Sequence, residues 1–140
     1  MSIYLDTSVL IPTLVEEPVS GAVEAYLKTR PERLISDFAA AEVASGLSRL
    51  VRTSLLTAAE AAVRLADFDA WRAATSSPAE LNSADARLAY TYVRRFELML
   101  RAPDALHLAI ARRIDATLVT LDRRLARAAR EFGITVEALA

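Results

Sequence analysis

Asp6 in IYLDTSVLI, Glu42 in AAAEVASG, Asp104 in RAPDALHL and Asp122 in TLVTLDRR are acids set among apolar or small neighbours. Asp6 and Asp122 share one design: a short run rich in β-branched and aliphatic residues delivers an aspartate just past its end. If both runs are strands of one parallel sheet, both acids reach its carboxyl edge, where open α/β sheets bind ligands. Glu42 lies four residues after Phe38, on a helix face that would rarely hide an uncompensated carboxylate. Carboxylates brought together repel, which raises the cost of ionising them unless a cation enters. Oxygen donors and water are what Mg²⁺ or Mn²⁺ prefers, and such an ion lowers the pKa of a bound water and neutralises phosphoryl charge. The set therefore points to metal-assisted hydrolysis of a phosphodiester. Ser8, two residues beyond Asp6, offers a hydroxyl to orient a carboxylate or a water.

Each of these residues also has a purely structural reading. Asp6 and Asp122 suit the N-caps of the helices that follow them. Asp104 falls behind Pro103 in a first turn, where the helix dipole favours an acid. The Ser8 hydroxyl can bond within its own first turn. The sequence leaves both readings open.

The bulk properties narrow the classes. At 140 residues the chain has the size of one domain, expected to span residues 1–140 and to bury roughly two-thirds of its unfolded surface. With 54% hydrophobic residues, 25% charged, 3 Gly and 5 Pro, it is neither disordered nor collagen-like. It has no cysteine and 1 histidine, which removes disulfides, thiolate sites and multi-histidine zinc sites, so any metal must be held by oxygen. No apolar run approaches the roughly 18 residues needed to span a bilayer, and the chain opens on a strand pattern instead of a cleavable leader. A cytoplasmic protein without membrane association is expected. The formal net charge of -1 argues weakly against nucleic acid, but its distribution does not: from Arg87 onward there are ten arginines against six acids. Arg123, Arg124, Arg127 and Arg130 follow Asp122 on one helix, with 123, 127 and 130 on a common face, and are the candidate contacts to a nucleic-acid backbone; a solvated helix face is the plain alternative.

The elements that must position these groups can be read from periodicity and punctuation. Residues 3–5 form a short buried strand and 7–15 a helix; 20–29 form a second helix, broken by Arg30-Pro31. A strand at 33–35 precedes a long helix over 36–52, with Phe38, Val43, Leu47 and Leu50 or Val51 as its core stripe. Thr57 and Glu60 make a capping box for a helix reaching about residue 73. TSSPAELNS is expected to be a loop, Ser83 to cap a helix running to about residue 98, and Pro103 to open the helix carrying Asp104. ATLVTL is the clearest strand, DRRLARAAREF a helix ended by Gly133, and 134–136 a last edge strand. Strands at both ends with helices between them imply an α/β fold with a mainly parallel sheet. His107, three residues after Asp104, and the aromatics Phe68, Trp71, Tyr90 and Tyr92 fit packing roles.

YLDTS, the helical Glu42, LRAPDALHLAIA and LVTLDRRLARAA together resemble the PIN-domain family, specifically the VapC toxin ribonucleases of type II toxin–antitoxin pairs. The resemblance covers essentially the whole chain, and PDALHLA and VTLD are its more specific parts. It implies a three-layer α/β/α fold and a Mg²⁺- or Mn²⁺-dependent endoribonuclease that hydrolyses RNA by a metal-activated water. It also implies a metal pocket at Asp6, Glu42, Asp104 and Asp122 with the Ser8 hydroxyl beside it, a cognate VapB-like antitoxin, and a homodimer. Other folds fit less well. A dinucleotide-binding domain would want glycines after the first strand, where LDTSVL has none. A phospho-acceptor receiver would want a lysine near a late strand, and Lys28 is the only lysine. A catalytically silent scaffold that binds RNA or an antitoxin is the alternative that survives.

Overall fold

The computed structural model describes residues 1–139. Its strands are β1 (Ile3–Leu5), β2 (Arg33–Ser36), β3 (Ser76–Ala79), β4 (Thr117–Thr120) and β5 (Val136–Ala138). Its helices are α1 (Thr7–Leu14), α2 (Ser20–Lys28), α3 (Asp37–Arg52), α4 (Ala58–Thr75), α5 (Ser83–Val93), α6 (Ala102–Arg113) and α7 (Arg123–Glu131). The strands form one sheet in the order β3-β2-β1-β4-β5, and every pairing is parallel. Parallel neighbours cannot be joined by hairpins, so the connections carry helices onto the sheet's faces.

The alternation of side chains along β1 and β4 sorts the core into two layers. Ile3, Leu5, Ile35 and Val119 point to one face and pack with Val9, Leu10, Val23, Leu27, Ala39, Val43 and Phe68 of α1–α4. Tyr4 and Leu118 point to the other, against Ala89, Tyr92, Ala105, Leu108, Leu125 and Ala129 of α5–α7. The result is the expected three-layer α/β/α arrangement. The chain builds β1, β2 and β3 outward in one direction, then crosses back to lay β4 on the other side of β1. In open α/β sheets ligands bind at such a reversal, here beyond the carboxyl ends of β1 and β4. Among the described residues, no helix is long and apolar enough to cross a membrane.

Three local expectations need correction. The stretch expected as a loop contains β3, which pairs Ser76 to Ala79 with Arg33 to Ser36. A Ser-Ser-Pro run reads as a turn, yet at a sheet edge proline is tolerated because its missing N–H can face away from the ladder. The helix expected to run to about residue 98 stops at Val93 and is followed by a 3-10 turn, Phe96–Leu98, and by Met99 at φ 53°. Phe96 is 80% exposed as a consequence, and Tyr90, which the sequence placed in a packing role, is 68% exposed. Its N-cap is Asn82 instead of Ser83: Asn82 accepts from the Asp85 N–H, and Asp85 accepts from the Asn82 N–H. The final strand begins two residues later than expected, because Gly133 at φ +71° and the Ile134 N–H bond to Ala129 still complete the end of α7.

Asp85 also receives the Arg113 guanidinium, Nε at 2.8 Å and Nη2 at 3.0 Å, which ties the start of α5 to the end of α6. Asp85 is 1% exposed, so losing either partner leaves a buried charge or donor unsatisfied. Asp85→Ala is expected to destabilise the fold by roughly 2–3 kcal/mol, discounted because Arg113 is partly in water. Equilibrium urea unfolding checks it; a loss below about 0.5 kcal/mol, the size of an ordinary surface substitution, would contradict it.

Candidate functional site

The register of β1 on β4 pairs Leu5 with Val119, so Asp6 and Thr120 stand side by side one residue further on. Thr120 Oγ1 donates to Asp6 Oδ2 at 2.6 Å, between the two strand ends where the winding reverses. On the other oxygen, Asp6 Oδ1 accepts from Ser8 Oγ at 2.6 Å and, as the N-cap of α1, from the Val9 N–H at 3.3 Å. Ser8 Oγ in turn accepts from the Leu121 N–H, and Thr120 Oγ1 from the Asp122 N–H. The β1 and β4 ends are thus laced together by hydroxyls around one carboxylate that is 3% exposed. Burial pushes the Asp6 carboxyl above the ordinary aspartate value, although the Ser8 and Thr120 hydroxyls pull the other way.

Glu42 projects from the first half of α3, next to the buried stripe Ala39, Val43, Leu47. Its Oε1 accepts from Thr7 Oγ1 at 2.7 Å and meets His107 Nε2 at 2.5 Å. Desolvation alone would raise its carboxyl, but the His107 and Thr7 hydrogen bonds outweigh it and hold Glu42 below the usual carboxylate value. His107 is buried, and its Nδ1 lies 2.6 Å from the Tyr4 hydroxyl, which also touches Ser36 Oγ at 2.8 Å. Asp104 stands one turn before His107, in the first turn of α6, and its Oδ2 accepts from the Arg101 N–H at 3.1 Å. Because α6 leads back into the start of β4, its first turn lies at the carboxyl end of the sheet. Asp122 caps α7, Oδ1 accepting from Arg124 and Leu125 N–H.

Asp6 and Asp122 are therefore N-caps, Asp104 is the third residue of a capping box, and the acids stand at the same end of the sheet. Capping occupies Oδ2 of Asp104 and Oδ1 of Asp122, while both bonds to Glu42 fall on Oε1. In each, the second oxygen is the one that could take a ligand. Among the described residues, no group of three or more Asp, Glu or His side chains stands ready to hold a metal ion. The donor chemistry, oxygen throughout, fits a hard divalent cation. Holding it would draw the acids inward from separate caps. Arg123, Arg124, Arg127 and Arg130 are exposed on α7, whose buried side is Leu125, Ala126, Ala128 and Ala129.

Thr7, Thr120, Tyr4 and Ser36 were not singled out in the sequence. Thr7 and Thr120 carried a weak signal, as hydroxyls beside Asp6 and Asp122. Tyr4 and Ser36 carried none, because their meeting depends on β1 pairing with β2 and on where α6 packs. His107 is the buried, hydrogen-bonded residue its sequence context implied, with Glu42 as its partner.

The family whose sequence profile matches the chain is the PIN domain, over residues 3–131. Ribonuclease VapC46 of Mycobacterium tuberculosis is 34% identical over 138 residues, covering 96% of this chain and 95% of the relative. Among solved structures, Mycobacterium tuberculosis VapC20, a sarcin-ricin loop cleaving toxin, superposes with a TM-score of 0.72 at 18% identity, covering 90% of this chain and 94% of that one. VapBC2 of Rickettsia felis, solved on a DNA fragment from its promoter, matches with a TM-score of 0.71 at 17% identity, over 99% and 98% of the two chains.

The opposite shifts of Asp6 and Glu42 give opposite pH dependences. A raised carboxyl means the folded state binds its proton more tightly than the unfolded chain does. Asp6 therefore costs stability progressively as pH rises from the ordinary aspartate value of 3.8 through its folded value. Glu42, held low, contributes stability above its ordinary value of 4.5 that is lost as pH falls through its folded value. Asp6→Asn, measured by urea unfolding with chelator present, is expected to be as stable as wild type or up to about 2 kcal/mol more stable near neutral pH. The gap should close towards pH 3.8; a gap that narrows as pH rises would contradict the burial argument.

Proposed function

The chain belongs to the PIN-domain family, and from that membership we propose that it is a Mg²⁺- or Mn²⁺-dependent endoribonuclease, the toxin of a VapBC-type toxin–antitoxin pair. The observation that carries the reading is the convergence of Asp6, Glu42, Asp104 and Asp122 on one end of the sheet, beside its topological switch point. Glu42 caps no helix, and the caps at Asp6 and Asp122 could be supplied by Ser, Thr or Asn without adding charge, so four acids at one end of the sheet favour a cationic ligand. The name of the 34% identical relative, a ribonuclease, supports the same activity.

In this reading Asp6, Glu42, Asp104 and Asp122 hold the cation. When bound, the ion supplies Lewis acidity to a water and to a phosphoryl oxygen. Asp6 is kept rigid by Ser8, Thr120 and the α1 N-terminus, so it fixes the position around which the others gather. Glu42, kept ionised by Thr7 and His107, presents its second oxygen. The α7 arginines hold RNA phosphates near the acids. The partners proposed are an RNA substrate, a VapB-like antitoxin and a second copy of the chain. Tyr90, Phe96 and Met99, all strongly exposed within ten residues around the end of α5, fit a protein contact better than a solvated surface.

Incubating the purified protein with total cellular RNA, with Mn²⁺ or chelator, tests the activity. Discrete fragments are expected with Mn²⁺ only, falling to background in Asp104→Asn; equal cleavage by that variant, or cleavage in chelator, would overturn the reading. Absence of both cleavage and Mn²⁺ uptake would favour the silent RNA- or antitoxin-binding scaffold. Arg127→Ala should weaken RNA binding evenly across sequences and lower the slope of log affinity against log salt by about 1, measured by fluorescence anisotropy. An unchanged slope would return α7 to a solvated face.

A further inference from the structure

The buried chain Ser36–Tyr4–His107–Glu42 runs from the end of β2, through β1 and α6, to the edge of the acidic site. Its first three members are 0%, 0% and 4% exposed. Such a chain is an expensive way to fill a core: replacing buried polar partners with apolar groups of similar shape is commonly neutral or stabilising. Phe at 4 and Leu at 107 would satisfy the surrounding apolar cluster and the Phe38 ring, whose centroid lies 5.1 Å from that of His107. The polar groups end on a carboxylate at the mouth of the site, which gives them a purpose beyond packing.

Hydrogen-bond bookkeeping fixes how the chain is wired. Glu42 is an ionised acceptor, so His107 Nε2 must carry the hydrogen that it offers to Oε1. Ser36 Oγ already accepts the Ala39 N–H at 2.9 Å as the cap of α3, and its own hydrogen is free for Tyr4. Tyr4 can then give its hydrogen to His107 Nδ1. Every group then has a partner, with Nε2 carrying the hydrogen offered to Glu42. We infer that His107, braced by Tyr4, is a positioning residue for Glu42: it holds Oε1, and Oε2 is left for a ligand. This deepens the nuclease reading and rests on it. Partners one shell out from a metal ligand set the ligand's orientation, and their loss typically costs 10- to 100-fold in metal affinity.

His107 is the only histidine, so one imidazole spin system reports the wiring without ambiguity. Long-range ¹H–¹⁵N spectra of the metal-free protein are expected to show hydrogen on Nε2, with the Nδ1 shift moving in Tyr4→Phe. Hydrogen on Nδ1 alone, or an Nδ1 shift unmoved in Tyr4→Phe, would overturn the wiring. Isothermal titration with Mn²⁺ then reads the consequence. His107→Leu is expected to bind Mn²⁺ about 10- to 100-fold more weakly. His107→Gln, which can still donate to Glu42, should recover most of the affinity, and Tyr4→Phe keeps the question answerable if His107→Leu does not fold. Wild-type affinity in both His107→Leu and Tyr4→Phe, or equal weakening in His107→Gln and His107→Leu, would overturn the positioning role alone. If the wild-type protein itself takes up no Mn²⁺, the nuclease reading falls and this inference falls with it.

Discussion

The bond from Thr120 to the buried Asp6 carboxylate is the constraint on which the rest of the site depends. It joins the two strands whose carboxyl ends flank the reversal of the sheet, and it does so through a charge that burial disfavours. The surrounding hydroxyls make that charge tolerable. Ser8 and Thr120 both donate to Asp6 and both accept backbone N–H groups from the β4–α7 connection. The same two hydroxyls therefore satisfy the backbone of a tight strand-to-helix turn and fix the position of the carboxylate, so local folding and site geometry are one arrangement.

The other acids follow a related rule. Asp104 and Asp122 each satisfy helix N-terminal N–H groups with one oxygen, and Glu42 is held on one oxygen by Thr7 and His107. Capping and ligation need not compete, because a carboxylate has two oxygens and a cap uses one. The structural and chemical readings of these residues are thus compatible, and a count of caps cannot decide between them. Among the described residues the acids form no ready-made coordination set, in keeping with carboxylates that repel one another and are held on separate tethers.

Much of the scaffold was legible in the sequence because the relevant signals are local. The β1 and β4 runs, the Thr57–Glu60 box, Pro103 in the first turn of α6 and Gly133 after α7 each act within a few residues. β3 was not legible: Ser-Ser-Pro becomes a strand only because β2 offers it an edge to pair with. The end of α5 was missed for a similar reason, since nothing in YVRRFELM marks the 3-10 turn that leaves Phe96 in water. Within the site, the acids could be nominated from their neighbours, while the Tyr4–His107–Glu42 chain could not. Those residues lie 103 and 65 positions apart, and only the packing of α6 on the sheet brings them together.

The two outer strands carry a consequence for assembly. β3 contains Pro78, and β5 is only three residues long. A strand from another molecule would find few backbone groups in register on either side, so growth of the sheet by strand addition is disfavoured. Larger complexes must then be built on the helical layers, where recognition is by side-chain shape and charge and can be tuned without touching the strands that carry the acids. A family with this architecture can change its protein partners on the outside while the sheet at its centre stays as it is.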